Sequence, residues 1–347
     1  MSISSYLKGL HFLSGFITPP SQNLFSIREE FFPTKINEKS LRVKILHPKN
    51  KLEEKLPGVI VLHGMNKMGI EDPRILNLAY IITNMGYTTI LPEVPEVTEL
   101  KIVPETLDSV SLTLETILDR SDMFLEERLG FFSVSFCGGM GMISITNPEI
   151  SKKIKAIATI GSYSNFETTI PHVLENFELD NYGTCIFFYN YINYFEKNSE
   201  NLKIYFYEAA MDNGLKRIGN SAKAPAMLKN LSKKEEILLN GIENEKEFRK
   251  NLFEEFQKKS KSLMEYLSPI NYVEKIFSSV SLVHGKGDIV IPEKETIELA
   301  SKLNHFNKPF EMEITKLLSH GDTLPIWKQI PGVPGLASTF GYFFSNI

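Results

Sequence analysis

Residues 129–141, with the sequence LGFFSVSFCGGMG, decide the fold that this chain predicts. The first half of the stretch is an apolar run of the kind that forms a strand buried on both faces of a sheet. At Ser135 the run passes directly into a glycine-rich segment that is able to start a helix. The stretch therefore predicts a buried strand, a sharp turn at Ser135 and a helix packed closely against the sheet.

A strand, a serine and a helix in this order are the layout of a nucleophile elbow, in which a sharp turn strains the backbone of the serine. Crowding in the turn requires small residues two positions before and after the serine. Ser133 and Cys137 occupy these positions, where glycine is usual, so the size rule is met and the strict motif is not. Two readings stay open on this stretch alone: Ser135 is a nucleophile, or it is an inert hydrogen-bonded serine in a turn.

The composition favours one large α/β core that carries an insertion. The chain has 347 residues, 42% of them hydrophobic, which is ample for a packed interior. The net charge of -4 and the absence of a basic concentration argue against nucleic acid as a partner. The two cysteines cannot form a disulfide framework, so a reducing, cytoplasmic compartment is expected.

Residues 1–24 are expected to form an arm or a helix that packs on the body. The apolar part of this segment is short and is interrupted by His11, Ser14 and Gly15. A membrane-spanning helix needs about 20 apolar residues, and no small-residue cleavage site follows. The segment is therefore interpreted as neither a signal peptide nor a membrane span.

Predicted strands and helices alternate along the rest of the chain. Strands are predicted at residues 25–32 and 41–47, which form a hairpin, and at residues 57–62, 87–91, 154–160, 280–283 and 310–317. Helices are predicted at residues 72–85, 107–118 and 293–303, and the last part of the chain is expected to be helical. This alternation implies right-handed crossovers and a mainly parallel sheet flanked by helices.

The alternation stops between about residues 164 and 277, an interval far longer than a crossover needs. The expected domains are a first part of the core at 25–163, a helical cap insertion at 164–277 and a second part of the core at 278–347. Aromatic residues recur in the predicted cap at positions 187, 188, 191, 194 and 195. Such spacing is more often the interior of a helical unit than an acyl pocket, and the Lys- and Glu-rich part predicts solvated helix faces.

Three residues with complementary chemistry follow predicted strands: Ser135, Asp288 and His320. Catalytic groups of open α/β sheets gather at the carboxyl ends of the strands, so one edge is able to hold all three. A serine hydroxyl needs an imidazole to take its proton, and the imidazole needs a carboxylate to fix its tautomer. Asp322 is a rival acid, but it is only two residues from His320 and is less suited to reach the far imidazole nitrogen.

A developing oxyanion also requires two hydrogen-bond donors. The N–H of Phe136 lies at the start of the predicted helix, and the N–H of Met65 follows His63 and Gly64 at the end of another predicted central strand. Both are the expected oxyanion donors. His63 is interpreted as a support for its loop, and His284 is likewise interpreted as loop structure.

The chain resembles the α/β-hydrolase superfamily over residues 25–163 and 270–345. The similarity is carried by four stretches: VIVLHG at 59–64, SVSFCGG at 133–139, HGKGD at 284–288 and SHG at 319–321. Within the superfamily the chain is most similar to esterases of the dienelactone-hydrolase and acyl-peptidase type. The resemblance implies an eight-stranded α/β sheet with a lid before the acid strand, and hydrolysis of an ester, thioester or amide through an acyl-enzyme.

The predicted function is therefore a serine hydrolase that cleaves a small-molecule carboxylic ester or thioester. An acyltransferase or a peptidase with the same triad, and a non-catalytic binding protein on the same fold, remain the alternatives. No histidine or cysteine cluster has metal-ligand spacing, and no phosphate-binding or dinucleotide motif is present, so neither a metal nor a cofactor is predicted. Cys137 is a weaker candidate nucleophile than Ser135.

Overall fold

The computed structural model describes residues 2–34, 40–120, 122–125, 128–216, 221–319, 322–323 and 332–347. Within these ranges the main sheet has eight strands: β1 (Phe25–Pro33), β2 (Ser40–Pro48), β3 (Gly58–Leu62), β4 (Thr88–Pro92), β5 (Leu129–Val134), β6 (Ile154–Ile160), β7 (Ser279–Gly285) and β8 (Phe310–Thr315). The strand order is β1-β2-β4-β3-β5-β6-β7-β8. β2 pairs antiparallel with β1 and β4, and every later pairing is parallel. The predicted hairpin and mainly parallel sheet are confirmed.

The helices of the described ranges are α1 (Ile3–Ile17), α2 (Pro73–Asn84), α3 (Pro95–Thr98), α4 (Pro104–Leu118), α5 (Ser135–Ile145), α6 (Pro148–Ser151), α7 (Phe166–Glu175), α8 (Tyr182–Tyr191), α9 (Glu200–Lys216), α10 (Ala224–Met227), α11 (Lys233–Asn244), α12 (Lys246–Tyr266), α13 (Glu293–His305) and α14 (Val333–Ser345). The predicted helix at 72–85 begins as its sequence indicates, because the Asp72 carboxylate accepts a hydrogen bond from the N–H of Arg74 and Pro73 occupies the first turn.

The core lies in two layers, one on each face of the sheet. Successive residues of a strand point to opposite faces, so Ile60 joins the cluster that includes α4 and α5, and Val61 joins the cluster that includes α1, α2 and α14. All five residues of β3 are buried, as are those of β4. Strands covered on both faces need continuous apolar runs, which is why these segments could be read from the sequence.

Helix α1 packs on the body through an unusually close crossing with α14. A Cβ atom added at Gly9 would lie 1.9 Å from the carbonyl oxygen of Ala337, and one added at Gly341 would lie 2.1 Å from that of Ser5. Only glycine allows the two backbones to approach this closely. Within the expected N-terminal arm, α1 is the helical part. No helix in the described ranges combines the length and apolarity that crossing a membrane would demand.

Helices α7 to α12 all lie between β6 and β7, and we call residues 161–278 the β6–β7 segment. Several of its aromatic residues form its interior: Phe187 and Phe188 are fully buried, and the centroid of the Phe187 ring lies 5.3 Å from that of Phe256. Exposed Lys–Glu pairs, such as Lys233 with Glu236 at 3.2 Å, line the outer helices. The interpretation of the aromatic residues as interior is confirmed for Phe187, Phe188 and Tyr191, whereas Tyr194 is 39% exposed. The Lys–Glu pairs are solvated as expected. Arg249 departs from that expectation, because its fully buried guanidinium donates to the carbonyl oxygens of Leu174 and Ile242.

A buried carboxyl group fastens the start of this segment to the core. The Oε2 atom of Glu295, in the first turn of α13, accepts hydrogen bonds from the N–H of Ser164 at 3.0 Å and the N–H of Asn165 at 2.8 Å. Its Oε1 atom accepts a third from the hydroxyl of Thr168 at 2.6 Å. The carboxyl group of Glu295 therefore connects the end of β6, the first turn of α7 and the helix that follows β7.

Replacing Glu295 with alanine is expected to destabilise the fold by about 3 kcal/mol, because buried N–H donors lose their acceptor. The matched control is Glu298→Ala on the same helix, where the carboxylate forms a partly exposed pair with Lys294 at 3.3 Å. The control should lower the free energy of unfolding by about 0.5 kcal/mol or less. Urea unfolding of both variants measures the difference, and equal losses would contradict the role of Glu295.

Candidate active site

Ser135 lies at the junction of β5 and α5 in the conformation that an elbow requires. Its φ angle is +57°, in the left-handed region that residues other than glycine rarely adopt. Such a backbone costs about 1–3 kcal/mol and persists only where the surroundings impose it. The flanking residues are small and buried, and the Ser133 hydroxyl donates to the carbonyl oxygen of Leu62 at 3.1 Å. The predicted sharp turn between strand and helix is confirmed.

The glycines after Ser135 allow α5 to pack directly on its neighbours. A Cβ atom at Gly139 would lie 2.4 Å from the Tyr163 ring, and one at Gly141 would lie 2.1 Å from the Phe131 ring. Both distances are too short for any side chain, so only glycine permits this helix position. The glycines therefore hold the N-terminus of α5 at the carboxyl end of β5.

The loop that carries Met65 lies beside this elbow. Leu62 at the end of β3 is in register with Ser133 of β5. A Cβ atom at Gly64 would lie 3.2 Å from the side chain of Val134 and 4.0 Å from the Cβ of Ser135. The loop backbone therefore passes next to the serine, where an oxyanion donor would be needed.

Two side chains fix the peptide group that contains the N–H of Met65. The Val94 N–H donates to His63 Nε2 at 3.4 Å, so the proton of the neutral ring is on Nδ1, which donates to the Gly64 carbonyl oxygen at 2.9 Å. Asn66 Nδ2 donates to the same oxygen at 3.3 Å. In a trans peptide the C=O and N–H point in opposite directions, so holding the Gly64 oxygen also sets the direction of the Met65 N–H.

Asn66 is a residue of this loop that the sequence interpretation missed. Its Oδ1 atom accepts from the N–H of Met68 at 2.8 Å and from the N–H of Gly69 at 3.1 Å. This is an Asx turn, in which a side chain replaces a backbone acceptor. The signal in the sequence was the asparagine itself, because Asn66 directly follows Met65 and asparagine often forms such a turn.

Phe136 is the second residue of α5, where the N–H groups of a helix have no partner within the helix. Its ring is buried and stacks on that of Tyr163, with a centroid distance of 4.6 Å and an interplanar angle of 30°. The stacking restrains the residue that follows the serine. The N–H groups of Met65 and Phe136 thus lie where oxyanion donors are expected. That they stabilise an oxyanion stays a prediction.

Asp288 lies three residues beyond β7 and is buried. Its Oδ1 atom accepts from the N–H of Val290 at 2.8 Å and from the N–H of Ile291 at 3.1 Å. These backbone bonds give the carboxylate a single orientation. His172 of α7 lies alongside, with its Nε2 atom 3.3 Å from the Asp288 carbonyl oxygen. Nothing in the sequence singled out His172.

His284 supports the same loop and is fully buried. Its Nε2 atom lies 2.8 Å from the Ile291 carbonyl oxygen, and its Nδ1 atom lies 2.7 Å from the Thr296 hydroxyl. The Nε2–H is thus the donor to Ile291, and Nδ1 accepts from Thr296, because a carbonyl oxygen can only accept. The interpretation of His284 as loop structure is confirmed.

The sheet brings two of the three predicted triad positions to one edge. β5, β6 and β7 are consecutive, parallel and in register, with Val134 opposite Ile160 and Ile160 opposite Val283. Neighbouring strands are about 4.8 Å apart, so the ends of β5 and β7 are about 10 Å apart. Beyond β8 the short strands β9 (Leu318–Ser319) and β10 (Asp322–Thr323) pair with each other. His320 lies outside the described residues.

Burial argues against the thiol of Cys137 as a nucleophile. The side chain is fully buried, and desolvation raises the pKa of the thiol far above its ordinary value. A thiol is reactive as the thiolate, which this position disfavours. In the part of the chain that the structure describes, no group of three or more His, Cys, Asp or Glu side chains is arranged to hold a metal ion.

No protein-family model and no curated protein sequence match this chain. Solved structures do match. An acylaminoacyl peptidase from Pyrococcus horikoshii is similar over 96% of this chain and 42% of its own, with a TM-score of 0.53 and 15% identity. Carboxyl esterase 2 from the fungus Tuber melanosporum is similar over 95% of this chain and 88% of its own, with a TM-score of 0.54 and 13% identity.

A third match is dipeptidyl peptidase 4 from Porphyromonas gingivalis, with a TM-score of 0.54 and 11% identity over 93% of this chain and 36% of its own. This chain therefore spans less than half the length of the two matched peptidases. The strand order and these matches define the class: the protein has the α/β-hydrolase fold. The fold class expected from residues 59–64, 133–139, 284–288 and 319–321 is thereby confirmed.

The neutral state of His63 predicts a pH dependence of stability. Burial lowers its pKa to about 4 from an ordinary value of 6.5. Between these values the unfolded chain binds a proton that the folded protein excludes, so the free energy of unfolding should fall as the pH falls from 6.5 to 4, by on the order of 3 kcal/mol. Denaturant unfolding at several pH values across this range measures the change in the free energy of unfolding.

The matched variants are His63→Asn, which removes the titrating ring, and His305→Asn at the exposed end of α13. His63→Asn should be less stable than wild type at pH 7, and the difference should shrink towards pH 4. If the difference between His63→Asn and wild type is the same at both pH values, the neutral ring is not the source.

Proposed function

We propose that this protein is a serine hydrolase that cleaves a carboxylic ester or thioester through an acyl-enzyme. The observation that carries the proposal is the left-handed backbone of Ser135, at the end of a central strand and the start of a helix. The Gly64–Met65 loop lies beside it, and a buried, oriented Asp288 follows the next strand but one. A strained serine at this point of an α/β sheet matches a nucleophile elbow.

In the proposed reaction the Ser135 hydroxyl oxygen attacks the substrate carbonyl carbon while His320 takes the hydroxyl proton. The negative charge on the carbonyl oxygen is stabilised by the N–H groups of Met65 and Phe136. Protonated His320 then gives its proton to the departing alcohol or thiol, which leaves an ester on Ser135. Water, deprotonated by His320, then attacks this ester, and the proton passes from His320 to the Ser135 oxygen as the acid is released. Asp288 orients the imidazole and stabilises its cation.

An ester or thioester is favoured over a peptide by the extent of the structural matches. The carboxyl esterase is matched over 88% of its length, whereas the two peptidases are matched over 42% and 36%. A peptidase nevertheless stays the second candidate, because peptidases with this fold are among the matches. An acyltransferase, in which another acceptor replaces water, and a binding protein without turnover are distinguished by the products formed.

The proposal assigns residues 25–163 and 278–347 to the catalytic core and residues 164–277 to a cap that covers it. Contacts from α7 and α8 to the two active-site loops support this division: His172 lies near the backbone of Asp288, and Tyr182 bonds to Met65. Residues 1–24 are a packing arm. The two cysteines are free and buried, in keeping with a reducing cytoplasmic setting. The proposed substrate is a small molecule.

A fluorophosphonate probe should attach covalently to the Ser135 oxygen, with loss of fluoride, and Ser135→Ala should abolish the labelling. Cys137→Ala is the matched control within the same turn and should keep it. Mass spectrometry of the labelled peptide identifies the site. Folded wild-type protein that is not labelled, or labelling at another residue, would refute the proposed nucleophile.

Nitrophenyl esters of graded chain length should be hydrolysed by the wild type, and Ser135→Ala and His320→Ala should each lower kcat by about 10⁴ or more. Asp288→Asn should have a similar effect because it reverses the preferred tautomer of His320. Peptide anilides and added alcohol or thiol acceptors test the alternatives in the same assay. Faster cleavage of anilides than of esters would favour the peptidase.

A further inference from the structure

The first residue of helix α8, Tyr182, contacts the proposed oxyanion loop. The Tyr182 hydroxyl donates a hydrogen bond of 2.7 Å to the carbonyl oxygen of Met65. The two residues are 117 positions apart in the chain, and Tyr182 is half-buried. A residue outside the sheet therefore binds the backbone of the expected oxyanion donor.

This bond acts on the second of the two peptide groups that meet at Met65. The first, which contains the Met65 N–H, is held through the Gly64 oxygen by His63 and Asn66. The second, which contains the Met65 carbonyl, is held by Tyr182. With both planes fixed, the φ and ψ angles of Met65 are restrained, and so is the direction of its N–H.

The other end of α8 is fastened to the core. The Asn190 side chain donates to the Leu100 carbonyl oxygen at 2.9 Å and accepts from the Ile102 N–H at 2.9 Å. The hydroxyl of Tyr191 donates to the carbonyl oxygen of Ile102. Leu100 is fully buried with a φ angle of +59°, which a bulky residue adopts only where its surroundings impose it.

Helix α8 is therefore a strut between two loops of the core. Its ten residues span about 15 Å, and the buried side chains of Phe187 and Phe188 join it to the interior of the β6–β7 segment. The Asp180 carboxylate accepts from the N–H of Tyr182 at 2.9 Å and orders the first turn. A displacement of α8 would be transmitted to the Met65 peptide through the Tyr182 hydroxyl.

We propose that Tyr182 is a positioning residue, which holds the Met65 N–H towards the developing oxyanion, and that α8 thereby makes catalysis depend on the β6–β7 segment. The inference rests on the proposed function and deepens it. A hydrogen bond that orients a donor matters most when charge develops on the carbonyl oxygen, so it should act on the transition state more than on substrate binding.

The test compares Tyr182→Phe with Tyr189→Phe, which removes a hydroxyl from the same helix. Removal of a whole oxyanion donor costs about 10² to 10³ in kcat, and loss of its orientation should cost about tenfold. We expect Tyr182→Phe to lower kcat for a nitrophenyl ester about tenfold with little change in KM. Affinity for an alkylboronic acid, a mimic of the tetrahedral intermediate, should fall by a similar factor. Tyr189→Phe should match the wild type in all three.

A second variant, Asn190→Ala, releases the far end of α8 and should reproduce part of the kcat loss while Tyr182 is intact. If Tyr182→Phe keeps the wild-type kcat and boronic acid affinity, the inference is overturned and the proposed function stands. A rise in KM with unchanged kcat would also overturn it, because that pattern indicates uniform binding. A wild type without esterase activity or fluorophosphonate labelling would instead refute the proposed function.

Discussion

The left-handed turn at Ser135 is the constraint on which the rest of this structure depends. A non-glycine residue at a φ angle of +57° is unfavourable, and the surrounding packing imposes it. β5 is buried between β3 and β6, small residues flank the turn, and glycines allow α5 to lie against Tyr163 and Phe131. Loss of any of these features would let the turn relax and move Ser135 away from the neighbouring loops.

The loops around the turn are held mainly by hydrogen bonds from side chains to backbone. His63 and Asn66 hold the Gly64 carbonyl, and the Asp288 carboxylate is held by two amides of its own loop. Such bonds fix peptide planes, which is what an oxyanion site requires, since its donors belong to the backbone. The β6–β7 segment adds a bond from Tyr182 and, through Glu295, is fastened to α13, the helix that follows the Asp288 loop.

Much of the fold was predictable because the central strands are buried on both faces and read as continuous apolar runs. The apolar run, the glycine-rich segment and the small flanking residues placed Ser133, Ser135 and Cys137 in a turn, and His63 and His284 were expected in supporting roles. Tyr182 and Glu295 were missed because their partners lie 117 and about 130 residues away, and no local pattern reports such distances. Asn66 was missed although its position in the loop carried a signal.

By itself the sequence determined most of the core strands and helices, the mainly parallel sheet and the residue types that follow the strands. These depend on side-chain size, hydrophobic periodicity and backbone preference, which act over a few residues. Only the tertiary structure decided the direction of the Met65 peptide, the attachment of α8 at both ends and the burial of Glu295. These features arise where the chain folds back on itself, because a hydrogen bond forms only when packing has brought its donor and acceptor together.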